Sequence, residues 1–263
     1  MATAVKLSVL TENNPGELTA AEHGLSYLIE SDGRKILFDT GQSDLFLKNA
    51  AIMGLSLEAL DMIVLSHGHY DHGNGLEHLR GGTLLCHPGC FIRRYRQRDH
   101  SYIGLKNSRK EIESKFNLIT SREPFKITES ILFAGEIPRI TPFESLTTPF
   151  VLEDGTPDFV ADDSALIIAL PDGLFIITGC GHAGVVNTVE HAIAVTGIDR
   201  IYGIMGGFHL KEKDRQTIET VKYLEKKKVT HVIPSHCTSG SALATFRSAF
   251  DATPVTTGKF LSF

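Results

Sequence analysis

The chain has 263 residues, of which 42% are hydrophobic and 22% are charged, and its formal net charge is −5. This length is sufficient to bury a full core, and the composition is ordinary for a globular protein. The net negative charge gives no reason to expect a nucleic-acid partner. No apolar run approaches the roughly 20 residues that span a bilayer, and the start of the chain lacks a signal-peptide core. We therefore expect no membrane segment and a cytoplasmic location.

Apolar periodicity predicts an alternation of strands and helices along most of the chain. The predicted strands are Val5–Leu10, Leu25–Glu30, Lys35–Phe38, Met62–Leu65, Thr83–Cys86, Ala165–Leu170, Leu174–Thr178, Ile201–Met205 and Val229–Ile233. The predicted helices are Ser43–Ala50, Ser56–Leu60, Val185–Val195, Asp214–Lys226 and Ala242–Phe250.

Residues from about 91 to 159 break this alternation and hold five of the ten prolines. We therefore predict a single domain over residues 1–263, with an insertion at about 91–159 that defines the substrate. A basic run at residues 93–98 lies in the insertion, and it is either a solvated helix face or an anion-binding surface. If it binds an anion, Arg94 is the expected substrate contact.

The four cysteines are too few and too scattered for a disulfide framework in a chain of this length. Cys86 and Cys90 flank a turn, so a metal clip is one interpretation. No second pair completes a structural zinc site. We favour the other interpretation, that Cys86 and Cys90 are simply small buried residues on either side of that turn.

The segment Ser66–Gly73 reads Ser-His-Gly-His-Tyr-Asp-His-Gly and follows a predicted buried strand. Neutral imidazole and carboxylate are ligands that zinc, manganese and iron accept. In an extended turn alternate residues point the same way, so we expect His67 and His69 to hold one metal ion. Asp71 and His72 then face a second ion. A histidine-rich surface loop is the alternative, and it is disfavoured because four candidate ligands lie within six residues.

The His-x-His-x-Asp-His pattern resembles the second motif of the metallo-β-lactamase superfamily. The resemblance implies an α/β fold, the αββα sandwich, with a one- or two-metal site at the edge of its sheets. The insertion at about 91–159 would then be a cap region added to this fold. It implies that Asp39 supports the metal turn through hydrogen bonds rather than by coordination. His236 resembles the last histidine of the superfamily, which is a ligand of the second metal.

The chain departs from the usual superfamily pattern at two ligands. No histidine lies between His100 and His182, so the ligand that usually precedes the second hairpin is absent. We predict that His182 completes the ligand set of the first metal. Cys180 stands where the bridging aspartate is usual, and Asp162 and Asp163 stand near the missing histidine. Each is a candidate ligand or a group that orients one, and the bridge is Asp163, Cys180 or water alone.

Several motifs together resemble one branch of the superfamily, the dihydropteroate-synthase-like branch typified by the dihydropterin–ribofuranosylaminobenzene-phosphate synthase. These motifs are residues 22–26, 38–42, 66–72, 179–184, 206–210 and 235–238. The resemblance extends from about residue 7 to residue 240. It implies a two-metal enzyme that acts on a phosphorylated or pterin-like compound.

The expected chemistry is hydrolysis of a small anionic substrate by a metal-activated hydroxide. The cofactors would be two divalent ions, with zinc as the first choice and manganese or iron as alternatives. Asp71 is expected to bind metal and accept a proton, and His209 to contact substrate or act as a general acid. His23 is a further candidate for substrate contact. Two alternatives stay open: a pterin-condensing synthase, and a non-catalytic ligand-binding protein on the same fold.

Overall fold

The computed structural model describes residues 4–263, which divide into two compact units. The first unit consists of Ala4–Arg122, Thr148–Asp158 and Thr256–Phe263. The second unit consists of Glu123–Thr147 and Phe159–Val255. The predicted insertion contributes residues to both units. Its role in defining the substrate, and the assignment of the chain to one domain, stay predictions.

Residues 4–263 form fifteen β-strands and six α-helices. The strands, β1 to β15, are Val5–Thr11, Ser26–Ser31, Arg34–Phe38, Met62–Val64, Thr83–Cys86, Arg94–Arg96, Asn117–Thr120, Phe125–Lys126, Ile131–Phe133, Phe150–Leu152, Ala165–Leu170, Gly173–Thr178, Ile201–Gly207, His231–Ser235 and Phe260–Ser262. The helices, α1 to α6, are Leu45–Ile52, Tyr70–Gly73, Arg109–Lys115, Val185–Thr196, Arg215–Lys226 and Gly240–Phe250. The longest helices of the described residues, α4 and α5, have 12 residues each, which is too short to span a bilayer.

The main sheet of the first unit has the described strands in the order β15-β1-β2-β3-β4-β5-β7. Strands β3, β4, β5 and β7 run parallel to one another. Because parallel neighbours end at the same edge of a sheet, the segments that follow β3 and β4 become neighbours. A buried cluster that includes Leu37, Ile63 and Leu84 packs this sheet against Phe46 of α1.

The second unit is built on a sheet with the described strands in the order β14-β13-β12-β11-β9-β8. Strands β12, β13 and β14 are parallel, so their carboxyl ends also share one edge. Strands β11 and β12 are buried at every position and read as unbroken apolar runs, as expected for strands covered on both faces. Helix α4 packs on this sheet through Val185 and Val189.

Strands β6 and β10 form a separate two-stranded sheet in the first unit. The sequence did not predict these two strands, nor the short strands β7, β8, β9 and β15. Each has only two to four residues. Strands of that length are too short to establish an alternating pattern, so pairing with neighbours determines their conformation.

The predicted helix Ser56–Leu60 is wrong, because the structure has turns and irregular backbone there. The segment lies between Gly54, whose φ is +70°, and Asp61, which pairs with Arg34. The Ser56 hydroxyl accepts the N–H of Glu58 at 3.3 Å. Such a local side-chain bond competes with helical backbone bonding, and five residues are too few for a helix to form without tertiary support.

Candidate functional site

The segment that follows β4 changes conformation in its middle. His69 is extended, with φ −85° and ψ 149°, whereas α2 begins at Tyr70. The carbonyl of His69 accepts the N–H groups of both His72 and Gly73, at 3.1 and 3.2 Å. The expectation of an extended turn throughout is therefore wrong for its second half, where Asp71 and His72 lie on a helical turn.

Four candidate ligands of this segment, His67, His69, Asp71 and His72, form what we call the histidine cluster. The Nε2 atom of His67 lies 2.9 Å from Nδ1 of His69, and the His67 and His72 ring centroids are 4.2 Å apart. The Nε2 atom of His72 lies 3.8 Å from Oδ2 of Asp71. Two nitrogen ligands of one tetrahedral zinc ion are about 3.3 Å apart, so the imidazole donors fit a metal ion with a small adjustment.

A buried carboxylate, Asp39, holds this segment from the end of β3. Its Oδ1 accepts the Ser66 N–H at 2.7 Å, and its Oδ2 accepts the Ser66 hydroxyl at 2.7 Å. The Nδ1 atom of His72 also lies 2.7 Å from Oδ2 of Asp39. A bond of this kind fixes the orientation of an imidazole, so that its other nitrogen points toward the position of a metal ion.

Burial and neighbouring charges act in opposite directions on two of these imidazoles. Burial, together with His72 and His69, holds the pKa of His67 well below its ordinary value. Burial also opposes protonation of His72, but the carboxylates of Asp39 and Asp71 outweigh it and raise its pKa. His67 is therefore neutral at physiological pH, which is the state that binds metals.

Gly68 allows the segment to lie directly against the backbone of Cys90. A Cβ atom at this position would lie 2.0 Å from the Cys90 carbonyl oxygen. Cys90 and Cys86 are both buried in the apolar core of the first unit, as predicted. The absence of a side chain at position 68 is thus a steric requirement of the turn that carries the histidine cluster.

The two predicted substrate contacts of the first unit have different surroundings. His23 has a half-exposed side chain, and its Nε2 lies 3.0 Å from Oδ2 of Asp71. Arg94 is fully buried, and its Nε lies 3.2 Å from Oδ2 of the buried Asp158. Its guanidinium also donates to the Gly89 carbonyl at 3.2 Å. Both assignments as substrate contacts stay predictions.

Turns after the parallel strands of the second unit bring Cys180, His236 and Cys237 together. One candidate ligand atom from each residue lies within 4.8 Å of the others, and we call this group the thiol cluster. Cys237 donates its thiol to the Cys180 carbonyl at 3.3 Å, and its sulfur accepts the N–H of His209 at 3.3 Å. Burial opposes ionisation of Cys237, but a hydrogen bond from the Cys180 side chain and the nearby His236 outweigh it and lower the pKa of Cys237 to about 7.

His182 and His209, two further candidates in the second unit, lie side by side, with ring centroids 4.3 Å apart. Asp163 is buried, and its carboxylate accepts the N–H of Ala183 at 2.8 Å. It therefore supports the turn that carries His182. The assignment of Asp163 or Cys180 as a bridging ligand stays a prediction.

A buried glutamate in the second unit, Glu144, caps the helix that follows this turn. Its two carboxylate oxygens accept the N–H groups of Val186 and Asn187, at 2.9 and 2.8 Å. Thr141 donates its hydroxyl to the same carboxylate at 3.1 Å. Burial raises the pKa of Glu144 although these donors favour its ionised form. No sequence motif identifies Glu144, because nothing in the neighbouring sequence connects position 144 with the start of α4.

Three candidate residues adopt left-handed backbone conformations that L-residues rarely adopt. The φ angles are +57° at Asp39, +48° at His209 and +47° at His236. Asp39 directly follows β3 and His236 directly follows β14, whereas His209 is the second residue after the end of β13. Such conformations cost of order 1–3 kcal/mol and cluster at functional sites.

Comparison with known proteins places this arrangement in a family. The family model described as the metallo-beta-lactamase superfamily matches residues 20–83, which include Asp39 and the histidine cluster. The protein MJ0448 of Methanocaldococcus jannaschii is 34% identical over 90% of this chain and 92% of its own length. This chain belongs to the metallo-β-lactamase superfamily.

Two further relatives in the superfamily match nearly the whole chain. The 7,8-dihydropterin-6-methyl-4-(beta-D-ribofuranosyl)-aminobenzene-5'-phosphate synthase of M. jannaschii is 32% identical, over 98% of this chain and 97% of that protein. The crystal structure of Tm1679, a metal-dependent hydrolase of the β-lactamase superfamily, has 30% identity and a TM-score of 0.87 over 98% of each chain. The predicted metallo-β-lactamase fold and the predicted resemblance to the synthase family are confirmed.

Proposed function

We propose that this chain is a metal-dependent hydrolase that acts on a small anionic substrate through two divalent ions. The observation that carries the proposal is the histidine cluster, in which three imidazoles and one carboxylate occupy one buried turn. The superfamily fold and the similarity to Tm1679, a metal-dependent hydrolase, support it. Zinc is the first choice, and manganese and iron are alternatives.

The proposed ligand set has six residues. His67 and His69 would bind one ion, and Asp71 and His72 the other. His182 is the proposed third ligand of the first ion, and His236 is that of the second. These last two assignments come from the sequence. A cytoplasmic location is likewise proposed from sequence alone.

When bound, a divalent ion lowers the pKa of a coordinated water toward 7 and polarises a substrate oxygen. Asp39 would hold His72 through Nδ1, so that Nε2 is directed to the ligand position. Asp71 would take up a proton on its carboxylate. His23, at 3.0 Å from Asp71 and half-exposed, would pass that proton to solvent. His209 would contact substrate or donate a proton to the leaving group.

The test is elemental analysis of protein purified without chelator, followed by a panel of phosphoester, thioester and lactone substrates. We expect close to two equivalents of metal and turnover of at least one ester class. His67→Ala should lose bound metal, and activity should fall below detection. The matched control is His78→Ala, since His78 is exposed outside both clusters. Retained turnover in a His67→Ala protein that has lost its metal would refute the proposal.

A second candidate function is the condensation of a pterin with a ribofuranosylaminobenzene phosphate. The near full-length similarity to the M. jannaschii synthase favours it. Release of phosphate from model esters would support hydrolysis. Quenching of pterin fluorescence on titration, with a condensed product detected by mass spectrometry, would support the synthase instead.

A further inference from the structure

We infer that the thiol cluster binds a divalent ion through two thiolates and one imidazole, with Cys237 as a ligand in addition to Cys180 and His236. This inference rests on the proposed metal-dependent function and adds sulfur donors to its ligand set. It also narrows the choice of metal, because thiolates favour zinc or iron over manganese.

The topology of the second unit brings these three residues together. Strands β12, β13 and β14 are parallel neighbours, and Cys180 follows β12 while His236 and Cys237 follow β14. Strand β13, which lies between them, ends in two glycines. A Cβ atom at Gly207 would lie 2.7 Å from the Cys237 sulfur and 2.4 Å from the Gly179 carbonyl oxygen. The missing side chain at Gly207 leaves the space that the Cys237 sulfur occupies.

The spacing of the donors matches one small ion. Their ligand atoms all lie within 4.8 Å of one another. At bond lengths of about 2.3 Å for sulfur and 2.0 Å for nitrogen, tetrahedral ligands of zinc are roughly 3.5–3.8 Å apart. Small side-chain rotations would therefore bring the three atoms into coordination. No disulfide joins the two cysteines within the described residues, so both sulfurs are thiols.

Protons and hydrogen bonds at the cluster are consistent with ion binding. Each thiol would lose its proton to solvent as the metal–sulfur bond forms. The Cys237 sulfur would retain the N–H of His209, now as a bond to thiolate. The bond from Cys237 to the Cys180 carbonyl would be given up. The N–H of His209 would still hold the sulfur when that bond is lost.

Cobalt substitution tests the inference directly. Protein stripped with chelator under a reductant is titrated with Co2+, and its absorption spectrum is recorded. We expect a thiolate-to-cobalt charge-transfer band in the near ultraviolet, weakened by about half in Cys237→Ser and in Cys180→Ser. Cys86→Ser is the matched control, because Cys86 is buried in the first unit, and its band should equal that of the parent protein.

A band that is absent, or unchanged in Cys237→Ser and Cys180→Ser, while Co2+ still binds would overturn the inference and leave the proposed function intact. Failure of Co2+ to bind at all would overturn both. Alkylation of the unaltered protein gives a measurement that needs no variant. Cys237 should react with iodoacetamide without metal and be protected by two equivalents of Zn2+, and equal labelling in both states would contradict ligation.

Discussion

The histidine cluster and the thiol cluster are both built where parallel strands end, but the sequence encodes them differently. The four members of the histidine cluster lie within the six residues 67–72, a single segment that follows β4. In the thiol cluster, Cys180 follows β12, whereas His236 and Cys237 follow β14 more than fifty positions later. A contiguous cluster is recognisable as a motif, whereas a dispersed one becomes visible only when strand order is known.

The two clusters also differ in how they are supported. In the first unit, Asp39 bonds directly to a candidate ligand, His72, and to the backbone of the turn. In the second unit, Asp163 accepts the backbone N–H of Ala183, and Glu144 accepts two backbone N–H groups and the Thr141 hydroxyl. The first arrangement orients a side chain, and the second stabilises a backbone turn. Substitutions should therefore affect metal binding in one unit and folding in the other.

Substitution of Gly68 by alanine should give the largest effect, because the new Cβ would lie 2.0 Å from the Cys90 carbonyl oxygen. We expect the free energy of unfolding to fall by about 3 kcal/mol, with loss of bound metal. Urea unfolding and elemental analysis measure the two effects. Gly240→Ala is the control, since a Cβ atom at this position, at the start of α6, would have no heavy atom within 4 Å beyond its own helix backbone and chain neighbours. Equal destabilisation by both variants would contradict the steric argument.

Substitution of Glu144 by alanine should destabilise the fold by about 2 kcal/mol, because two buried N–H groups at the start of α4 lose their acceptor. Because its pKa is raised, the protonated carboxyl favours the folded state below the ordinary value of 4.5. That contribution is lost as the pH rises through the raised pKa. In denaturant unfolding, Glu144→Ala should therefore lose more free energy of unfolding in acid than at pH 8, relative to the parent protein. The exposed Glu129→Ala should change stability by less than about 0.5 kcal/mol.

Substitution of Asp39 by asparagine should weaken metal binding about 30-fold, within the range typical for groups that orient a ligand. The amide cannot accept from Ser66 and His72 as the carboxylate does. Competition with a chromophoric chelator measures the affinity. Asp61→Asn is the control, because Asp61 bonds to Arg34 and to the Lys35 backbone at the exposed end of β3. An unchanged affinity in Asp39→Asn would show that His72 does not depend on this carboxylate.

Substitution of His23 by glutamine should have the smallest effect, a decrease in kcat of about threefold with unchanged metal content. The reason is that His23 is half-exposed, so water replaces it in part as the proton acceptor from Asp71. Steady-state kinetics on the best substrate of the panel measure the change. Loss of metal in this variant would instead indicate that His23 supports coordination.

The sequence predicted what depends on local pattern. The strands that flank the histidine cluster, the cluster itself and the hairpin β11–β12 all follow from apolar runs and nearby glycines. The prediction of a helix over Ser56–Leu60 is wrong. The hydrogen bond from the Glu58 N–H to the Ser56 hydroxyl and the left-handed backbone of Gly54 favour a turn there instead. The spacing of apolar residues, on which the helix prediction is based, reports neither this hydrogen bond nor the backbone conformation of the glycine.

Long-range packing explains the residues that the sequence did not reveal. Glu144 supports a helix more than forty positions away, and its role depends on where the intervening strands place the chain. Cys237 stands beside the predicted ligand His236 in the motif at residues 235–238. That adjacency was the available signal, but only the pairing order of β12, β13 and β14 shows that its sulfur meets Cys180.

The left-handed backbone at Asp39 and His236 has a consequence for how this protein tolerates change. Glycine adopts that conformation without penalty, so replacing either residue with glycine would relieve strain in the folded chain. The same replacement would remove a group on which the proposed chemistry depends. At Asp39 the replacement would also leave the buried Ser66 N–H and His72 without their acceptor, so relief of backbone strain there would come with a loss of hydrogen bonding.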